Sequence, residues 1–242
     1  VLERNPHLKK TALTGAMPYG GEERDHAFLN KLNLKPYLFE KKKDKIQMVY
    51  AGAMLPKAYA PLESIFSSIA VNQQIFANVE FHFIGTGSRA NDANSYTIKT
   101  FAEKYRLWQT VIYEYPKRIP YLDVLVHLQN ANGVFILGST EPHYTPSKSY
   151  QGVLSGKPIF AVLHTESTAV KVIKESGAGK VLEFDGEKGI DVLETGLSCA
   201  WLDDGNGRKN FNSNEINKEI FDQYSAKNVT GKLVDLLAKI DL

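Results

Sequence analysis

Short runs rich in apolar, aromatic and β-branched residues recur between positions 46 and 183. Each is separated from the next by a loop and a stretch with helical spacing. IQMVYAG (46–52), VEFHFI (79–84), GVFIL (133–137) and IFAV (159–162) have the length and character of strands covered on both faces. Between them, 61–76 places Leu62, Ile65, Phe66, Ile69 and Ala70 on one helical face. Further helices are expected over 94–105, 119–129 and 168–175, a short strand over 110–113, and a last strand over 180–183 after Gly177 and Gly179. This alternation predicts an α/β domain, a doubly wound parallel, Rossmann-like sheet with helices on both faces. Such sheets bind their ligands beyond the carboxyl ends of the strands.

The regular pattern spans 46–185 and divides the 242 residues into three parts. Residues 1–45 are punctuated by Pro6, Gly15, Pro18, Gly20 and Gly21, with one amphipathic helix over 22–34, and read as a connector from a preceding domain. Residues 186–242 read as a closing segment with a Gly205-Asn206-Gly207 loop and helices over 216–224 and 226–240. The last helix lines up Val229, Leu233, Leu236, Leu237 and Ile240, a stripe expected to pack inward. The chain opens on Val1 in a polar, turn-rich stretch and reads as cut from something longer. One cysteine, Cys199, excludes an internal disulfide framework and fits a reducing compartment such as the cytoplasm. A net charge of +2 is too balanced for nucleic-acid binding. No stretch near 18 residues is apolar enough to span a bilayer, so membrane contact is expected to be peripheral at most. The Lys-rich run at 41–45 reads as a solvated turn before the first strand.

The chemistry gathers in 139–162, STEPHYTPSKSYQGVLSGKPIFAV, which begins as the 133–137 strand ends. Thr145 suits a helix N-cap and Pro146 the first helical position. Lys148 then falls in the first turn, where the helix dipole mildly repels a cation unless an anion sits there too. Ser147, Lys148 and the backbone N–H groups of a helix start would together cradle a phosphate. A solvated lysine on an exposed turn explains the same residues and stays open on this ground alone. Gly85-Thr86-Gly87 follows a strand, but no third glycine completes a dinucleotide fingerprint. Lys57, in the loop after Gly52, could reach a phosphate across the sheet mouth or simply be solvated. His82 and His127 read as structural, while His143 and His164 fall at strand ends. No spacing of His, Cys, Asp and Glu predicts a metal site, and no Gly-x-Ser-x-Gly elbow is present.

Glu141, Pro146-Ser147-Lys148 and Ser155-Gly156-Lys157-Pro158 resemble the nucleotide-sugar-binding motif of GT-B retaining glycosyltransferases. More narrowly, they resemble the C-terminal donor domain of the bacterial group 4-like enzymes. Tyr50-Ala51-Gly52 with Lys57, Ile84 to Gly87, the 115–122 segment and Lys174 to Gly179 agree with that resemblance. It implies that Glu141 faces the donor sugar's hydroxyls and that His143, Tyr144 and Thr145 lie in the turn supplying backbone N–H groups. Ser147 and Lys148 would hold the diphosphate, and Lys57 would add a second cation for the leaving group. Gly52, Gly85 and Gly87 would let the backbone approach the ligand, and the base would lie against the Tyr115 to Tyr121 loop, read mainly by backbone groups near Arg118 and Ile119. Gln151 stands where the family has a second glutamate that accepts from the ribose hydroxyls. Lys57 lies one place nearer its glycine than is usual, and Pro142-His143 replaces the common Gly-Phe.

The expected function is therefore the donor half of a glycosyltransferase that binds a nucleoside-diphosphate sugar. No cofactor or bound metal is expected. Its partners would be a glycan or lipid-linked acceptor and the chain's own N-terminal domain, in the cytoplasm, with a place at the inner face of the cell membrane left open. Two alternatives remain: a non-catalytic nucleotide- or sugar-binding module, and a nucleotide-sugar epimerase of the same fold.

Overall fold

A computed structural model describes residues 2–10, 12–29, 31–203 and 211–240; the Gly205–Gly207 loop lies outside the described residues. A short helix, α1 (Glu23–Leu29), precedes the first strand, β1 (Ile46–Ala51). There follow α2 (Tyr59–Val71), β2 (Val79–Ile84), α3 (Lys99–Lys104), β3 (Ile112–Tyr115), α4 (Tyr121–Asn130) and β4 (Gly133–Leu137). The second half continues with α5 (Lys148–Leu154), β5 (Ile159–His164), α6 (Thr168–Ser176) and β6 (Gly179–Phe184). Helices α7 (Val192–Asp203), α8 (Lys218–Asp222) and α9 (Ala226–Leu237) close the described chain.

The six strands form one sheet in the order β3-β2-β1-β4-β5-β6, every neighbouring pair parallel. This is the doubly wound order, and it reverses direction between β1 and β4. Strands β1, β2, β4 and β5 are buried along their whole length, whereas the edge strands β3 and β6 are partly exposed. That explains why the central four stand out as nearly unbroken apolar runs. Alternate strand residues feed two cores. Met48, Phe81, Phe83, Phe135 and Phe160 pack with Leu62, Phe66 and the fully buried Trp201 of α7. Val49, Ile84, Val134, Ile136 and Ala161 pack with side chains of α4, α5 and α6.

Some expected elements shift. The helix expected over 94–105 is shortened to α3, because Glu114 of β3 collects the backbone N–H groups of Thr97, Ile98 and Lys99 and so fixes where it starts. The stripe on α9 does not pack as a whole. Val229 is buried, but Leu233, Leu237 and Ile240 are 40%, 54% and 49% exposed. The early residues lie against the sheet domain. Phe39 stacks on His82 with ring centroids 3.8 Å apart, and the backbone of Gly21 pairs with Tyr224 and Ala226. His127 Nδ1 donates to Asp123 O, while its Nε2 accepts N–H groups from Tyr37 and Leu38 at 3.2 and 3.3 Å.

Candidate functional site

A cavity of about 440 Å³ opens at the carboxyl ends of β1 and β4, where the strand order reverses. Its floor is the backbone from Tyr50 to Ala53 together with Ile84 and Gly85. Gly52 and Gly85 have φ of +151° and +73°, conformations that a side chain rarely adopts, which is why glycine ends both strands. The Gly52 and Gly85 amides donate to Ile84 O and Tyr115 O at 2.9 and 2.8 Å, extending the ladder one residue beyond the strands. Gly87 does not line the cavity. A Cβ there would collide with Ser95 Oγ and press on Pro116 O, so its smallness serves the packing beneath the wall.

One wall is Arg118, Ile119, Tyr121 and Val124 at the start of α4; the other is Tyr144, Pro146, Ser147 and Lys148 at the start of α5. Thus Gly52, Gly85, Arg118, Ile119, Tyr144, Ser147 and Lys148, all singled out in the sequence, meet at one site. Thr145 and Pro146 do not start the helix as expected. Ser147 occupies the cap position without a side-chain cap bond, and the Thr145 hydroxyl pairs with Thr168 Oγ1 at 2.6 Å rather than capping the helix. Ser167 Oγ also donates to Tyr144 O at 2.7 Å, so the loop is fastened to the start of α6 from both sides.

Glu141, His143 and Lys57 sit on the exposed rim rather than in the lining. The Thr140 amide donates to Lys57 O at 3.0 Å, which joins the Lys57 and Glu141 loops through backbone. His143 is 4.0 Å from the Glu166 carboxylate at the surface. Gln151 is buried outside the cavity, with Oε1 2.9 Å from His26 Nε2.

Electrostatics separates this cavity from an ordinary surface dip. Two cations, Arg118 and Lys148, line it, and among the described residues no carboxylate does. Lys148 has no ion pair among the described residues, and burial pushes its ammonium below the usual lysine range. Burial pushes the Tyr50 and Tyr144 phenols up, so both face the cavity as neutral groups. A desolvated cation with no partner favours an anion that brings its own charge into the site. Among the described residues, no cluster of three His, Cys, Asp or Glu side chains could hold a metal ion.

The sequence placed Tyr121 in the loop expected against the base, but it did not mark Tyr50 and Val124 as lining residues. Their strand and helix patterns explain them as core, and only the sheet order reveals that they face the switch point. His164 lies just outside, its Nδ1 accepting from the Glu166 amide at 3.1 Å, as a structural turn residue would.

No family model matches the sequence, and no curated protein matches it. The fold does have relatives among solved structures. A glycosyltransferase from Rickettsia africae superposes with a TM-score of 0.63 at 12% identity, over 93% of this chain and 57% of that one. A sucrose-phosphate synthase from Thermosynechococcus elongatus gives 0.62 at 13% identity, over 98% and 55%. A UDP-forming α,α-trehalose-phosphate synthase from Burkholderia xenovorans gives 0.64 at 12% identity, over 93% and 52%. The chain thus spans little more than half the length of each of these structures. At this level of identity the likeness is one of architecture: the chain has the Rossmann-like fold found in GT-B glycosyltransferases.

Proposed function

We propose that this chain is the donor-binding half of a glycosyltransferase that takes a sugar from a nucleoside diphosphate. The observation that carries this reading is the cavity at the β1–β4 switch point, where, among the described residues, the desolvated Lys148 and the exposed Arg118 are the charged lining residues and no acid lines it. A diphosphate supplies the missing negative charge. Its nucleoside fits the apolar wall of Ile119, Tyr121 and Val124. The fold relatives support this choice of ligand, since one is named as UDP-forming.

In the reaction, negative charge grows on the diphosphate as the glycosidic bond breaks. Fixed cations that meet this charge lower the barrier, and their advantage is largest where water is excluded. Lys148 and Ser147 hold the phosphates from α5, and Arg118 approaches from the opposite wall. Lys57 and Glu141, joined at the rim through Thr140, meet the sugar end when a second domain closes over the mouth. Glu141 would accept from sugar hydroxyls and Lys57 would add a cation, so that no bound metal is needed. The acceptor, a glycan or lipid-linked group, would come from that second domain at the inner face of a cell membrane. Transfer would proceed with retention, as in the group 4-like enzymes of polysaccharide synthesis. The chain alone would bind nucleotide weakly and turn over little.

Thermal-shift titration with UDP, GDP, dTDP and ADP, beside NAD, tests the reading, because a ligand that binds only the folded state raises its melting point by mass action. One nucleoside diphosphate should stabilise the wild type. Lys148→Ala should lose most of that shift, about tenfold or more in Kd. Lys57→Ala should lose less, about threefold, because Lys57 stands on the rim. Stabilisation by NAD alone, or by none of these, would sink the proposal.

A further inference from the structure

Tyr121 opens α4 and lines the cavity wall, yet its hydroxyl is committed elsewhere. It donates to Asp25 Oδ2 at 2.9 Å, across 96 positions of sequence, from a helix that precedes the whole sheet domain. Burial and the Asp25 carboxylate both push the Tyr121 phenol up, so it stays a donor at any ordinary pH. The next residue on α1, His26, reaches the opposite wall's helix. Its Nε2 is 2.9 Å from Gln151 Oε1, and its Nδ1 is 3.3 Å from Gln129 Nε2 on α4. With Nε2 donating to Gln151 and Nδ1 accepting from Gln129, the ring bridges the helices that carry both walls. Gly21, just upstream, sits against Tyr150 and Leu154 of α5, where a Cβ would collide with Leu154. Residues 21–26 therefore brace the two helices whose first turns form the cavity.

We infer that Asp25 is a positioning and specificity-determining residue of this site: it keeps the Tyr121 hydroxyl out of the cavity, so that a nucleoside meets the tyrosine ring rather than its polar tip. This inference rests on the reading of the cavity as a nucleoside-diphosphate site. A ring offered without its hydroxyl selects by shape and apolar contact and adds no hydrogen bond of its own to the base. Releasing the hydroxyl does two things at once. It lets the wall swing, which weakens the fitting nucleotide, and it offers a donor to bases that the closed wall rejects. The bond also anchors the early segment to the ligand wall, so binding and docking of α1 support one another.

The test measures Kd for UDP, GDP and ADP, with melting temperature in parallel, on wild type, Asp25→Ala, Asp25→Asn, Tyr121→Phe and the Asp25→Ala/Tyr121→Phe double variant. Asp25→Ala should weaken the preferred nucleotide about three- to tenfold and narrow its lead over the others. Asp25→Asn keeps an acceptor for the phenol and should restore most of the preference. Tyr121→Phe should weaken binding less than Asp25→Ala, since it leaves no free hydroxyl, and the double variant should match Tyr121→Phe rather than add to it. Wild type that binds nucleotide while Asp25→Ala keeps the same Kd and ranking would overturn this inference alone, even if the melting point falls. Additive losses in the double variant would overturn it as well. Wild type that binds no nucleoside diphosphate would overturn it together with the function proposed above.

Discussion

Strands β2 and β3 carry buried acids that are fully answered, whereas the cavity at the end of β1 and β4 carries cations that are not. Glu114 accepts five hydrogen bonds, from Thr86 Oγ1, Thr97 N and Oγ1, Ile98 N and Lys99 N, between 2.7 and 3.1 Å. Glu80, 1% exposed, accepts from Lys42 Nζ at 2.7 Å and Gln47 Nε2 at 3.1 Å. The half-buried Lys148, with the exposed Arg118 at its edge, by contrast lines a space that no carboxylate lines among the described residues. Charges that serve the fold are matched within it, since an unmatched buried charge costs several kcal/mol. A charge left unmatched at a cavity therefore points to something from outside the chain.

The contrast makes graded predictions. Glu114→Ala should be the most damaging, because it orphans three backbone donors at the start of α3 and the Thr86 hydroxyl. A loss of about 3 kcal/mol, read by denaturant unfolding, is expected. A loss under about 1 kcal/mol would mean that the strand acids are not the structural charges they look like.

Acid should come next, through His82. It is buried between Phe39 and Tyr113, with Nδ1 3.2 Å from Tyr115 Oη and Nε2 3.3 Å from Glu80. Burial lowers its pKa to about 4, against the opposing pull of Glu80. Above pH 6.5 folded and unfolded chains both carry it neutral, and it adds no pH dependence. Below that, the unfolded chain takes up a proton that the folded chain refuses. Stability therefore falls between about pH 6.5 and 4, by on the order of 2–3 kcal/mol, and the loss is complete below 4. Replacing His82 by Phe should flatten that limb in a pH series of unfolding curves; an unchanged slope would show that another group carries it.

The smallest effect sharpens the other side. Lys148→Met removes an unanswered cation from a half-buried position and keeps most of its aliphatic length. It should leave stability unchanged or raise it by about 0.5 kcal/mol while ligand binding is lost. A clear destabilisation would show that Lys148 has a structural partner after all.

How far the sequence could be read follows the same division. The strands were legible because β1, β2, β4 and β5 are covered on both faces, so burial writes itself as unbroken apolar runs. The loop from Ser139 to Lys148 was legible as a site because its chemistry is local, a proline, a hydroxyl and a lysine within a few residues. Its cap was misplaced for a reason no local pattern contains: Thr145 is claimed by Thr168, which is distant in sequence. The roles of Glu114, Asp25 and His26 were illegible on the same ground. Each acts on a partner 15 to 125 positions away, and only the sheet order brings the two together. The α9 stripe failed in the opposite direction, since helical spacing reports a shared face but not what covers it.

Gly21 pairs with backbone groups of Tyr224 and Ala226, so a segment near the start of the chain is completed by one near its end. During synthesis about 200 residues separate the two, which at ordinary ribosomal speed is roughly 10–40 s. Residues 21–39 emerge before the sheet and must wait with Phe39 and Leu29 unsheltered until α4 and α5 exist, and until Ser225 has emerged to close the loop. Contacts of such long range form late and slow the whole process. A segment made before the sheet is thus among the last to reach its place, and the brace behind the cavity becomes a late stitch of folding.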